Sequence, residues 1–140
     1  MSHVGEDNIT YSRFFELCSK AYERHGDILG LPAGIHPYEY LKRAYHNDYP
    51  GGKVLDFGCG ADMPLKHAIG LADTQYFACD NDEGATFHYH EVYNIPTEEM
   101  FDIISACHVL EHIPFQGALN VVKALASHVK EGGIMMIIVP

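Results

Sequence analysis

Val54-Leu-Asp-Phe-Gly-Cys-Gly60 is the stretch that decides the fold. Lys53 to Phe57 reads as a short buried strand that runs straight into two glycines separated by one residue. A strand ending on Gly-x-Gly can turn sharply and bring bare backbone close to whatever lies beyond it. Asp62 follows as a cap for the next helix, and Pro64 falls in that helix's first turn, where a missing N–H is harmless.

The same alternation continues downstream. Gln75 to Cys79 reads as a second strand ending at Asp80, residues 87–92 as a short third, and Phe101 to Ala106 as a fourth. Ala118, Leu119, Val121, Val122, Leu125, Ala126 and Val129 recur at helical spacing, and Gly132-Gly133 ends that helix. Ile134 to Val139 is an almost wholly apolar fifth strand. Apolar strands alternating with helices predict an α/β domain, Rossmann-like, with a mostly parallel sheet and helices on both faces. Upstream, residues 1–50 read as an N-terminal helical segment preceding a core over 51–140. One helix spans Tyr11 to about Arg24, with an aromatic stripe that reads as packing. A second starts at Pro37 and runs to about Tyr45.

In open α/β sheets ligands sit beyond the carboxyl ends of the strands, where strand order reverses. Three signals fall at such ends: the Gly58/Gly60 turn, Asp80, and Glu91 beside Val92. A carboxylate at the end of the second strand can accept both hydroxyls of a ribose, so the set reads as a nucleoside site.

These segments resemble the class I S-adenosylmethionine (SAM)-dependent methyltransferases. Val54 to Gly60 is similar to their first motif, Tyr76-Phe-Ala-Cys-Asp80 to their second, and Phe101 to Pro114 to their fourth. Gly132 to Pro140 is similar to their strand-five motif. Leu110-Glu-His112 and Val139-Pro140 resemble the branch that includes ubiquinone-biosynthesis methyltransferases. The resemblance implies SAM as cofactor. Asp56, Gly58, Cys59 and Gly60 would hold its methionine end, Asp80 with Asn81 its ribose, and Glu91 and Val92 its adenine. Cys107 and His108 would face the transferring methyl group or the methionine moiety. His108 and His112 are the candidate proton acceptors, because imidazole titrates near neutrality.

Departures from the family pattern stand beside these matches. Asp62 occupies a position where many relatives carry a third glycine. Asp80 to Phe87 is too short for the usual helix between strands two and three. The sequence stops at strand five, so that strand is expected to present an apolar edge covered by a second copy of the chain or by a partner chain.

Composition narrows the acceptor. A net charge of −10 with only nine Lys and Arg fits a small molecule better than nucleic acid, and leaves a protein acceptor open. No stretch approaches the roughly 20 apolar residues of a membrane span. The start of the chain does not read as a signal peptide, and four cysteines without CxxC spacing read as reduced thiols in a cytoplasmic protein.

The rival readings are weaker. His108-Val-Leu-Glu-His112 matches the H-x-x-E-H pattern of inverse zinc peptidases, but it follows a buried strand directly, and no metal is expected. A dinucleotide oxidoreductase wants a glycine where Met63 stands. A non-catalytic SAM-fold subunit that binds a partner protein is the alternative function.

Overall fold

The structure is a computed structural model, and it describes residues 35–82 and 87–139. The expected helix from Tyr11 to Arg24 lies outside the described residues.

Helix α1 (Pro37–Asp48) starts with Pro37 in its first turn, and the Nδ1 atom of the capping His36 accepts from the Tyr38 amide at 3.1 Å. It buries Leu41 and Tyr45, and the Tyr45 hydroxyl donates to the Gly52 carbonyl at 3.1 Å. Strand β1 (Val54–Phe57) is buried throughout. It is followed by α2 (Pro64–Ile69), β2 (Tyr76–Cys79), β3 (Phe101–Cys107), α3 (Phe115–Ala126) and β4 (Val129–Ile138).

All pairings are parallel, and the order is β2-β1-β3-β4. A single-residue parallel bridge from Tyr89 to Cys79 continues the sheet on the outer side of β2. The chain thus reverses direction of build between β1 and β3, which opens a crevice beyond those strand ends.

Strand residues alternate between two cores. Val54, Tyr76, Ala78 and Ile103 pack under α1 and α2 with Leu41, Leu65 and Ile69. Leu55, Phe57, Cys79, Ile104 and Ala106 pack under α3 with Val121 and Leu125. Burial on both faces is why these strands read as apolar runs rather than as alternating ones.

Three sequence expectations need correction. The third strand over 87–92 shrinks to the Tyr89 bridge, and Val92–Asn94 instead forms a 3-10 turn held by the Glu91 amide donating to Asn94 Oδ1 at 3.0 Å. Asp62 does not cap α2. The cap position is Met63, in the left-handed region at φ 49°, and no side chain bonds the helix end. The last helix ends at Ala126, not at the glycines. Val129 already belongs to β4, and Gly132-Gly133 lie inside that strand, at a bulge where two steps along β3 match five along β4. A Cβ on Gly133 would stand 2.7 Å from the Asp102 carbonyl oxygen, so only glycine lets the bulged strand close on β3. A glycine pair in a helix-to-strand transition reads as a stop in one dimension; the close approach appears only when both strands are present.

No helix among the described residues is long and apolar enough to cross a membrane.

Candidate functional site

The crevice beyond β1, β2 and β3 holds a cavity of about 520 Å³. Each strand end contributes to its wall: Phe57 and Gly58 from β1, Cys79, Asp80 and Asn81 from β2, His108 and Val109 from β3. Glu91 and Val92 come from the segment after the Tyr89 bridge, and His112 from the turn after β3.

The floor depends on two glycines. Gly58 sits at φ 74° and its amide donates to the Cys79 carbonyl at 2.7 Å. A Cβ there would collide with the Val109 side chain. Position 58 is therefore closed to other residues on both conformational and steric grounds. Gly60, at φ 69°, is different: a Cβ would meet nothing within 4 Å.

Asp80 ties this loop to the second strand. Its Oδ2 accepts from the Gly60 amide at 2.9 Å and its Oδ1 from the Asp82 amide at 3.1 Å. A carboxylate has about four lone-pair sites, so each oxygen keeps acceptor capacity for a ligand.

Period-two alternation separates the remaining candidates. Asp56 precedes Phe57 and so points to the α1 side, where it is 4% exposed and accepts from the Tyr76 hydroxyl at 2.7 Å. Burial pushes its carboxyl up to about 6; the Tyr76 hydrogen bond opposes that shift and nearby Asp80 adds to it. Cys59 is buried in the same core. Burial pushes its thiol up to about 12, as it does for Cys79, so neither is a ready thiolate nucleophile. Cys107 also lies on the α1 side, packed on the core that holds Tyr38, with its sulfur 3.5 Å from the Ser105 hydroxyl. Burial raises its thiol too. Asp56, Cys59, Gly60 and Cys107 thus stand outside the cavity wall, whereas Gly58, Asp80, Asn81, Glu91, Val92, His108 and His112 line it.

His108 is held in an unusual way. Its backbone is left-handed at φ 55°, and its amide donates to the Ile138 carbonyl at 2.8 Å. Histidine tolerates this region better than most residues, yet the conformation still marks a constrained position. The ring is 63% exposed, and its Nδ1 stands 3.4 Å from Oε2 of Glu111. Sequence reasoning gave Tyr76, Val109 and Glu111 no part in the site. Tyr76 entered only as the first residue of the second motif, and Val109 matters because Gly58 comes to rest against it. The H-x-x-E-H pattern did mark Glu111, but for a metal; among the described residues no group of three His, Cys, Asp or Glu side chains could hold one.

Comparison with known proteins places this geometry in context. Residues 33–140 match the family model described as methyltransferase domain. A ubiquinone biosynthesis O-methyltransferase of Glaesserella parasuis serovar 5 (strain SH0165) is 26% identical over 161 residues, covering 98% of this chain. The chain spans 65% of that relative's length. Among solved structures, the sugar N-methyltransferase KedS8 from Streptoalloteichus sp ATCC 53650 superposes with a TM-score of 0.56 at 19% identity, over 98% of this chain and 56% of that one. The plantazolicin methyltransferase BpumL in complex with SAH gives 0.54 at 15% identity, over 91% and 53%. At these identities the structures share the fold, a Rossmann-like α/β sheet. With most of its length matched by the family model, the chain belongs to the methyltransferase domain family.

Proposed function

We propose that this chain binds SAM in the crevice beyond β1, β2 and β3 and passes its methyl group to a small-molecule acceptor. The observation that carries the reading is Asp80, a carboxylate on the cavity wall that is fixed by the Gly60 amide and still has lone pairs to offer. The residues fit the group. A volume of about 520 Å³ suits a ligand of nucleoside size or larger. Gly58 leaves the floor bare, and buried Asp56 supplies negative charge behind it for a cationic ligand end.

SAM supplies, when bound, a methyl group on a positively charged sulfur that is ready for in-line displacement. The chain's own work is to align donor and acceptor. Asp80 with Asn81 orients the ribose and Glu91 and Val92 flank the base in the cavity, while the methionine end reaches past it along the Gly58–Gly60 backbone, with Asp56 buried behind. Cys107 backs that end from the α1 side. His108, at the end of β3, takes a proton from an acceptor that carries one, and His112 lines the same wall.

The proposal extends to the rest of the chain. Residues 1–50 act as a helical segment alongside a SAM-binding core over 51–140. Among the described residues β4 is an edge strand, and its outer edge takes a further strand or a partner chain. Buried protonated thiols fit a reducing, cytoplasmic compartment. Titration calorimetry with S-adenosylhomocysteine and with NAD tests the central claim. Heat with the first and none with the second is expected; the reverse would overturn it.

A further inference from the structure

The turn after β3 holds a carboxylate that alignment of SAM does not use. Glu111 has a side chain only 5% exposed, and among the described residues its Oε1 is buried with no hydrogen-bond partner. A buried carboxylate oxygen left unsatisfied is unfavourable, so the position calls for a reason. The other oxygen supplies one: Oε2 stands 3.4 Å from Nδ1 of His108, whose exposed ring lines the cavity. The spacing follows from local structure. Glu111 sits in the 3-10 turn Leu110–His112, and His108 precedes that turn. The left-handed backbone at His108 turns its ring back over that turn. The H-x-x-E-H pattern thus yields a histidine–carboxylate pair.

We infer that Glu111 is a positioning residue that fixes the tautomer of His108, leaving Nε2 bare toward the cavity to take a proton from an O–H or N–H methyl acceptor. The inference rests on the methyl-transfer reading above. As the acceptor oxygen or nitrogen bonds to the methyl carbon, the carbon–sulfur bond breaks and its electron pair stays on sulfur. The acceptor's proton moves to Nε2, and Nδ1–H, held by the Glu111 carboxylate, stabilises the imidazolium that forms. Acceptors with an acidic proton on oxygen or nitrogen are the class this pair serves. A carbon nucleophile without such a proton would leave the pair idle.

The tautomer can be read directly. Long-range nitrogen–proton NMR of the imidazole rings, in the full chain and in alkaline buffer, with the His108 signals assigned by their loss in His108→Gln, distinguishes a protonated Nδ1 from a protonated Nε2. The expected wild-type result is Nδ1–H with bare Nε2. Replacing the buried carboxylate by an apolar side chain of similar size, Glu111→Leu, should return His108 toward the Nε2–H tautomer that an unconstrained histidine side chain favours, with S-adenosylhomocysteine affinity within about threefold of wild type. A wild-type His108 found mainly as Nε2–H overturns the inference, whether or not the variant folds. An unchanged tautomer in a folded Glu111→Leu chain overturns it as well. Failure of the wild-type chain to bind S-adenosylhomocysteine would instead count against the methyl-transfer reading, because the tautomer is measured without ligand.

Discussion

On the α1 side of the strand ends, Asp56 is buried, bonded to Tyr76, and surrounded by apolar side chains. On the α3 side, Gly58 and His108 open onto a cavity, and the groups there are exposed or incompletely bonded. The two sides are one residue step apart along β3, from Cys107 to His108, and two apart along β1, from Asp56 to Gly58. Asp56 is a charge held at a cost to folding; Gly58 and His108 put backbone and imidazole where a ligand can reach them. Substitutions on the two sides should therefore move stability in opposite directions.

The sharpest way to break this comparison is at Gly58. Valine there must adopt a left-handed φ and also displace Val109. Both penalties fall on the cavity floor, so Gly58→Val should destabilise the chain by about 3 kcal/mol or more and abolish S-adenosylhomocysteine heat. Normal unfolding midpoints together with normal heat would mean that the loop re-forms elsewhere and that the glycine is not needed for the floor.

Asp56 tests the other side, with the opposite sign. Its carboxyl is raised from 3.8 to about 6, so the folded state prefers the protonated form. Below about pH 4 the group is protonated in both states and burial is harmless. As pH rises through about 6 that contribution is lost, by at most about 3 kcal/mol. Asp56→Asn, which can still accept from Tyr76, should therefore gain stability over wild type between about pH 4 and 6 and keep the gain above it. It should also lose affinity for cationic SAM more than for uncharged nucleosides. Urea midpoints measured across that range check the first claim. A gain that is the same at every pH would mean that packing, not charge, is the cause.

How much of this was legible in the sequence follows from range. Gly-x-Gly after an apolar run and the parallel α/β order were readable because they depend on local periodicity. Asp80 was readable because strand ends in this architecture converge. The division of Asp56 and Cys107 from His108 was readable in principle from alternation, but it needs the register of β1 with β3, which only pairing supplies. The bulge at Gly132-Gly133 and the contact of Gly58 with Val109 are tertiary, and nothing local marks them. Met63 at the cap of α2 overrode Asp62 because the chain leaves the Gly60 turn in a left-handed conformation. Glu111 appeared only within the H-x-x-E-H pattern of a rival reading, and its approach to His108 depends on the 3-10 turn and the left-handed residue before it.

Asp80→Ala sharpens the comparison at intermediate size. Removing a carboxylate that accepts from Gly60 and Asp82 loosens the loop and takes away the ribose acceptor. Binding of S-adenosylhomocysteine should weaken by about 1–3 kcal/mol. Asp80→Asn should recover part of that, because its amide oxygen can still accept from the Gly60 amide. Equal losses for alanine and asparagine would assign the effect to charge at the ribose and not to the loop.

The smallest effect is expected at Gly60, and it separates a loop that only turns from a loop that carries ligand. Its φ of 69° makes any L-residue unfavourable there, by about 1–2 kcal/mol. Nothing in the protein lies within 4 Å of an added Cβ, so packing adds no further penalty. Its amide faces Asp80, and alanine keeps that amide. If position 60 serves the turn alone, Gly60→Ala should lose about 1–2 kcal/mol of stability and bind S-adenosylhomocysteine as wild type does. If the methionine end of the ligand passes over this backbone, the new methyl group fills the space the ligand needs, and affinity should fall by about tenfold beyond any unfolding. The second outcome is expected, because the space beside Gly60 is open in a loop otherwise closed by Val109. Calorimetry at a temperature where both chains are fully folded reads the difference. An affinity equal to that of wild type would move the methionine end away from Gly60 and toward the Asp56 side.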